Sequence, residues 1–452
     1  MRSKLAKGML IIFSANLVSL CFNMLINFIV PKHLTVDSYA AIKTYQLYTT
    51  YVGVLHFGYN DGMYLKYGGK TLSDIRDGEL AEGVSVIRTF QIGILILGAI
   101  FSLSAGNYIL LMVSLAMLPI NMLSYFQFLY QACGEFKIYS RFMATVSAGT
   151  LLINAALIYL FRTNDYIIFL ISYVALNMVV WLSAEAIFHH LAHSRPRLIY
   201  FSLPRLLEGI KGGILLMLGN FSSIIMTTMD QFFVNGFIGT RAFAQYSFAV
   251  SMETFLSVAT TPITVTLYNH FCIHDTPGGN RSIRQKVIIL ASLIIAAAFP
   301  VKFIMEHYLT EYMDAVTVLF LLFAAHLFYV VIRGVYVNLY KARRQQRRYF
   351  TGLIVVIAFG LAANIAAYFI SGAKEGFAVA TLLSAVFWLF VCRGDFKDMH
   401  IQEYAYMFIQ LALFLGCGIF LGSVSGGILY LLGTALSAVI FMRPALRLHQ
   451  PS

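Results

Sequence analysis

The feature that most constrains this chain is a succession of fourteen apolar runs separated by short polar breaks. They cover residues 9–30, 38–59, 84–104, 107–129, 138–161, 166–188, 212–236, 242–268, 285–305, 315–340, 349–371, 375–393, 404–423 and 426–442. About 20 predominantly apolar residues are needed for a helix to cross a hydrocarbon core. Fourteen such segments account for most of a 452-residue chain, and they explain why 59% of it is apolar and only 12% charged. A soluble protein of this length needs far more polar surface than that. The pattern therefore predicts an all-α polytopic membrane protein with about 14 transmembrane helices. It excludes a disulfide module, a disordered chain and a nucleic-acid binder, despite a formal net charge of +12.

The positive charge is read first as topology. Odd-numbered breaks, with the span ends beside them, contain Lys32, Arg162, Arg241, Lys302 and Lys374. Even-numbered breaks, with their span ends and the two termini, hold 24 of the 32 basic residues, including the cluster Lys341, Arg343, Arg344, Arg347 and Arg348. Lys and Arg collect on the cytoplasmic side of short loops, so both termini are expected there. The first run follows Arg2, Lys4 and Lys7 and has full spanning length, which favours an uncleaved first span over a signal peptide. The five cysteines are scattered, with no metal-binding or redox spacing. No loop is long enough for a catalytic domain, and no nucleotide-binding motif is present.

The chain repeats itself. At an offset of 204, Asn16 matches Asn220, Ser19 matches Ser223, Asn23 matches Thr227 and Asn27 matches Gln231. Further on the offset becomes 210, where Leu129-Tyr130 match Leu339-Tyr340, Tyr139 matches Tyr349 and Asn154 matches Asn364. Two pseudo-symmetric six-helix bundles are expected, over 1–200 and 201–400, followed over 401–452 by two extra transmembrane helices and a cytoplasmic tail. Spans 1 and 7 start on the same side, so the repeats are parallel, and a substrate path is expected where two such bundles meet. At about 100° per residue, Asn16, Asn23 and Asn27 lie near one line down span 1, with Ser19 beside it. Asn220, Ser223, Thr227 and Gln231 repeat that stripe on span 7. Such residues either join helices by hydrogen bonds or line a polar cavity; the second reading makes all eight cavity-lining.

Six ionisable residues fall inside spans: Lys43, Arg88, Glu185, Asp230, Glu253 and Arg333. Intramembrane charges are costly and point to function or to mutual pairing. The functional reading gives Lys43, Arg88 and Arg333 to an anionic headgroup, because basic side chains, Arg above all, suit phosphate. It gives Asp230, Glu253 and Glu185 to ion coupling or gating. Lys43 aligns with Ser247 and Glu253 with Thr49, so these two charges have no charged equivalent in the other half.

Two local patterns carry a resemblance. Leu55-His56-Phe57-Gly58-Tyr59 followed by Leu65-Lys66-Tyr67 resembles an acid–apolar–Gly–Leu motif followed by Leu-x-Arg-Tyr, with His56 in place of the acid. Asp230-Gln231, then Phe237-Ile238-Gly239 and Tyr246-Ser247, is similar to an Asp-Arg pair followed by Phe-Leu-Gly and Tyr-Ser, with Gln231 replacing the base. Together with the repeat, these resemble the polysaccharide-biosynthesis (O-antigen type) flippases, MATE-like members of the MOP exporter superfamily. The resemblance implies a transporter, not an enzyme. It would move undecaprenyl-pyrophosphate-linked oligosaccharide from the inner to the outer leaflet of a bacterial plasma membrane, by alternating access. It further implies no cofactor beyond H+ or Na+ coupling, and as partners the lipid-linked substrate, membrane lipids, a polysaccharide polymerase and glycosyltransferases, with no nucleic acid. The alternative on the same scaffold is a MATE-type cation/drug antiporter.

Overall fold

The structure, a computed structural model, describes residues 2–75, 77–192, 197–273, 276–396 and 399–442. The tail expected after the last span lies outside them. All regular structure among the described residues is helical, as lipid requires, since a helix satisfies its own backbone. In chain order the helices are α1 (Arg2–His33), α2 (Val36–Val52), α3 (Tyr59–Tyr67), α4 (Asp77–Ser104), α5 (Tyr108–Ala132), α6 (Phe136–Ala155), α7 (Tyr166–Ala192) and α8 (Leu203–Phe237). They continue as α9 (Thr240–Thr254), α10 (Leu256–Ile273), α11 (Pro277–Ile295), α12 (Ala298–His307), α13 (Val316–Val331), α14 (Val337–Ala342), α15 (Gln346–Ile370), α16 (Lys374–Phe396), α17 (Ile401–Phe420) and α18 (Ser423–Phe441). They fall into the fourteen expected stretches, and among the described residues eleven helices are long and apolar enough to cross a bilayer. The protein is a multi-pass membrane protein.

Four stretches are broken where unbroken spans were expected. The second becomes α2, a tight turn over Gly53–His56, and α3. The others divide between α9 and α10, between α11 and α12, and between α13 and α14, where Ile332–Tyr336 forms a π-helical turn.

The chain divides into two compact units, Met1–Ile225 and Met226–Ser452, with the boundary inside α8. In the first unit α5 is the central helix. It packs on α2, α3, α4 and α7 through a core that includes Tyr125, Phe126, Leu129 and Tyr130. In the second unit that place belongs to α13, which packs on α9, α11, α16 and α17 and is buried along its whole length. These two stretches are the ones that the 210 offset makes equivalent. Their exits repeat in detail. Gly134 and Arg344 both adopt a left-handed φ (78° and 55°), and the next amide in each, Glu135 or Gln345, donates to the Tyr130 or Tyr340 carbonyl at 2.8 Å. One turn past the following span, Arg162 (φ 50°) and Gly372 (φ 56°) match in the same way.

The last two helices are fastened to the second unit at their connecting turn. Lys302 on α12 donates to the carbonyls of Gly418 (2.7 Å) and Leu421 (2.5 Å) at the end of α17, and Glu306 accepts from the Ser423 amide (3.2 Å) and hydroxyl (2.5 Å) at the start of α18. A cation at one helix C-terminus and an anion at the next N-terminus complement both macrodipoles. Lys302, assigned from the sequence to an outward-facing break, is a buried helix cap.

In the first unit α3 meets α8 backbone to backbone. A Cβ on Gly62 would lie 2.1 Å from the Gly209 carbonyl oxygen, and one on Gly213 would lie 2.1 Å from that of Gly58. Small residues permit such close approach in membranes. Gly62→Ala should therefore lower the thermal unfolding midpoint of the purified protein. Gly53→Ala, where an added Cβ meets nothing within 4 Å, should leave it near wild type.

Candidate functional site

In the first unit the intramembrane charges are engaged locally. Lys43 on α2 donates to Asn27 Oδ1 on α1 at 2.9 Å and lies 5.4 Å from the Tyr39 ring centre. The structure thus brings one member of the span 1 stripe to one predicted headgroup base. Of the others, Ser19 is buried, while Asn16 and Asn23 are exposed. On α8, Asn220 (exposed) donates to Asp61 Oδ1 at 3.4 Å, Ser223 and Thr227 are exposed, and Gln231 is half-buried. Arg88 on α4 and Glu185 on α7, predicted for different tasks, form an ion pair with each other. Arg88 also donates to the Arg197 carbonyl at 2.8 Å.

In the second unit, Asp230 is buried at the C-terminal end of α8. Its carboxylate accepts from Tyr246 (2.5 Å, α9), Thr381 (2.8 Å, α16) and the Gln231 amide (2.8 Å). Beside it is a pocket of about 10 Å³ whose lining includes Tyr329, Gly360, Asn364, Thr381 and Ser384. That is roughly the space of one water or small ion, and Asn364 Oδ1 is buried there with no hydrogen-bond partner among the described residues. Glu253 on α9 meets His326 Nδ1 on α13 at 2.5 Å and is within electrostatic reach of Asp230. Arg333 sits in the π-helical turn after α13, half-buried, with its guanidinium 5.3 Å from the Tyr329 ring centre. Among the described residues no carboxylate lies within ion-pair distance of it. π-Turns inside helices occur frequently at functional sites.

These arrangements belong to a scaffold seen in solved structures. The lipid II flippase MurJ in an inward closed conformation matches 96% of this chain and 99% of its own at a TM-score of 0.64 and 13% identity. The eukaryotic MATE transporter AtDTX14 matches 90% of this chain and 98% of its own (TM-score 0.54, 12% identity). A mutant of the Vibrio cholerae MATE transporter VcmN matches 88% and 97% (TM-score 0.50, 15% identity). The fold is that of MurJ and the MATE transporters. No family model matches the sequence, and no curated protein matches it in a sequence comparison.

On this MurJ- and MATE-like scaffold several buried groups escape sequence reasoning. His326, the partner of Glu253, is one. Arg284 and Glu403, read as residues of cytoplasmic breaks, form a fully buried pair at 2.9 Å between α11 and α17. A pocket of about 880 Å³ opens in the first unit between α3, α4 and the start of α8, with Lys66, Glu79, Glu82, Arg205 and Glu208 on its walls. The Glu79 carboxylate beside Lys66 raises the affinity of that ammonium for its proton. His326, Arg284 and Glu403 had no sequence signal, because each partner lies far away along the chain.

Burial decides which pairs matter. Lys66–Glu208, with side chains 48% and 66% exposed, is a surface pair of the kind worth about 0–1 kcal/mol. Arg88–Glu185, at 6% and 10%, is not. Removing one partner strands a buried charge at a cost of about 3–5 kcal/mol, whereas removing both is often close to neutral. Arg88→Met and Glu185→Leu should each markedly destabilise the purified protein, and the double variant should recover most of the loss in chemical unfolding.

Proposed function

We propose that the protein is a transporter that flips undecaprenyl-pyrophosphate-linked oligosaccharide repeat units from the inner to the outer leaflet of a bacterial plasma membrane for cell-surface polysaccharide synthesis, with both termini in the cytoplasm. Glycosyltransferases would supply its cargo and a polymerase would consume it. The observation that carries this reading is Arg333, a half-buried guanidinium inside an apolar span, held on an aromatic face with no acid in ion-pair distance among the described residues. Such a cation favours an anionic ligand, and its planar fork matches phosphate. Lys43, beside the Asn27 amide, adds a second base next to groups that hydrogen-bond sugar hydroxyls. Arg88, neutralised by Glu185, is a weaker headgroup candidate than its sequence position alone suggests. An apolar groove of about 730 Å³ between α12 and α18, lined by Phe299, Phe303, Val424 and Leu431 among others, suits a polyprenyl tail.

Transport by alternating access would be driven by H+ or Na+ at Asp230. Tyr246 and Thr381 orient its carboxylate, and the unpartnered Asn364 oxygen offers a further neutral ligand. Glu253, hydrogen-bonded to His326, would gate that site. The same acids favour a second reading, MATE-type antiport of organic cations.

The test is a reconstituted flipping assay with fluorescent undecaprenyl-pyrophosphate oligosaccharide in proteoliposomes. The wild type should expose the label to an external quencher. Arg333→Ala should slow this roughly tenfold or more, as expected for losing a hydrogen bond to a charged group, and Arg333→Lys should retain part of the rate. Unchanged flipping in both Arg333→Ala and Lys43→Ala would remove the headgroup assignment. Proton-linked dye efflux without lipid movement would establish the antiporter instead.

A further inference from the structure

The break in the second stretch holds a second acid–base pair that plays no part in the transport reading above. Between α2 and α3 the chain passes through two left-handed residues, Phe57 (φ 50°) and Gly58 (φ 86°). The Gly58 amide donates to His56 Nδ1 at 3.0 Å. A ring nitrogen that accepts a hydrogen bond carries its lone pair, so in the neutral ring the proton is on Nε2. That nitrogen faces Asp61 Oδ2 at 3.6 Å, slightly too far for a hydrogen bond. Asp61 Oδ1 accepts from Asn220 on α8 at 3.4 Å. Both His56 and Asp61 are buried, at 5% and 2% exposure.

Among the described residues, the side chains of α4 and α5 that hydrogen-bond the break are neutral. On α4 Gln91 donates to the Leu55 carbonyl. On α5 Asn121 donates to the Val52 carbonyl. The Tyr59 hydroxyl donates away to the Gly83 carbonyl. Among the described residues neither group has an ion-pair contact other than the one between them. An ionised Asp61 opposite a neutral imidazole is an uncompensated buried charge, which is costly. One added proton makes an imidazolium–carboxylate pair with no net charge.

We propose that the His56–Asp61 pair is a proton-binding site of the first unit, separate from Asp230, and that its occupancy is read by the helix break. The incoming proton bonds to Nδ1, the lone pair that now holds the Gly58 amide. The imidazolium therefore keeps its Nε2–H toward Asp61 and draws closer, while Gly58 N–H loses its acceptor. Gly58 lies against the α8 backbone, where a Cβ would come 2.7 Å from the Ile214 nitrogen. Proton uptake thus unlocks the bend at its contact with α8. The inference rests on this geometry alone and stands or falls independently of the transported substrate.

The test uses the full-length protein in lipid bilayers, with nitrogen-labelled histidine observed by solid-state NMR and with amide exchange followed over residues 53–62. The His56 signal is identified by its loss in His56→Gln. On acidification His56 should pass from a neutral ring with unprotonated Nδ1 to imidazolium, and exchange over 53–62 should rise with the same midpoint. Asp61→Asn should lower the proton affinity of His56 about tenfold or more. His56→Gln, which keeps an acceptor for Gly58 but cannot titrate, should fold normally and abolish the pH dependence of exchange; it decides the matter even if Asp61→Asn does not fold. A His56 ring that stays neutral wherever the protein is folded would overturn the proposal. So would a pH-dependent rise in exchange that persists in His56→Gln.

Discussion

Inside a bilayer a backbone amide or carbonyl has no water to bond, so each place where a helix stops must be sealed by protein. Much of this structure follows from that requirement. Where α2 ends, the freed carbonyls of Val52 and Leu55 take bonds from Asn121 (3.2 Å) and Gln91 (3.0 Å), the two amides hold each other at 2.8 Å, and Asn60 bonds the Asn121 carbonyl at 3.1 Å. In the second unit Asn338 bridges the carbonyls of Thr264 (2.7 Å) and Gly334 (2.9 Å) at the π-turn. Lys302 closes the end of α17. Buried polarity is distributed as the helix breaks demand.

This requirement sorts the buried polar residues physically. Gln91, Asn121, Asn338 and Lys302 donate to backbone carbonyls, and Arg88 with Glu185, like Arg284 with Glu403, forms an ion pair. These bonds serve the fold. Arg333, Asp230 with the open Asn364 oxygen, and the His56–Asp61 pair remain outside these uses. Polar side chains left over after the backbone and the ion pairs are satisfied are where a membrane protein of this kind keeps capacity for a ligand or an ion.

The sequence revealed the periodic and the repeated features. Span number, the all-helical class and the internal repeat came from apolar run lengths and constant offsets, and the left-handed exits at Gly134 and Arg344 show the repeat surviving as backbone geometry. The breaks were not legible in the same way. A left-handed Phe57-Gly58 step inside an apolar run changes hydropathy too little to interrupt it. Pairing was hidden as well, because Arg88 and Glu185, or Arg284 and Glu403, are neighbours only after folding. Hydropathy also misplaced Lys302, since a cation that caps helix carbonyls resembles a loop residue when only its neighbours in sequence are considered.

The repeat makes the asymmetry between the units informative at single positions. Asn154 and Asn364 are equivalent, and each donates to the carbonyl one turn earlier, at 2.7 and 2.8 Å. In the first unit the Asn154 oxygen is taken by the Tyr173 hydroxyl at 2.6 Å. In the second the Asn364 oxygen is buried with no partner, in the pocket beside Asp230. At the 204 offset Asp230 corresponds to Ile26, a buried apolar residue. The two units therefore share a backbone design, but at these equivalent positions the second has an acid and an unpartnered amide oxygen where the first has neither. A site assembled from two departures at equivalent positions, one adding a charge and the other releasing a ligand atom, is not explained by packing, because the first unit packs without either. The ion-coupling role proposed for Asp230 gives both departures a single cause.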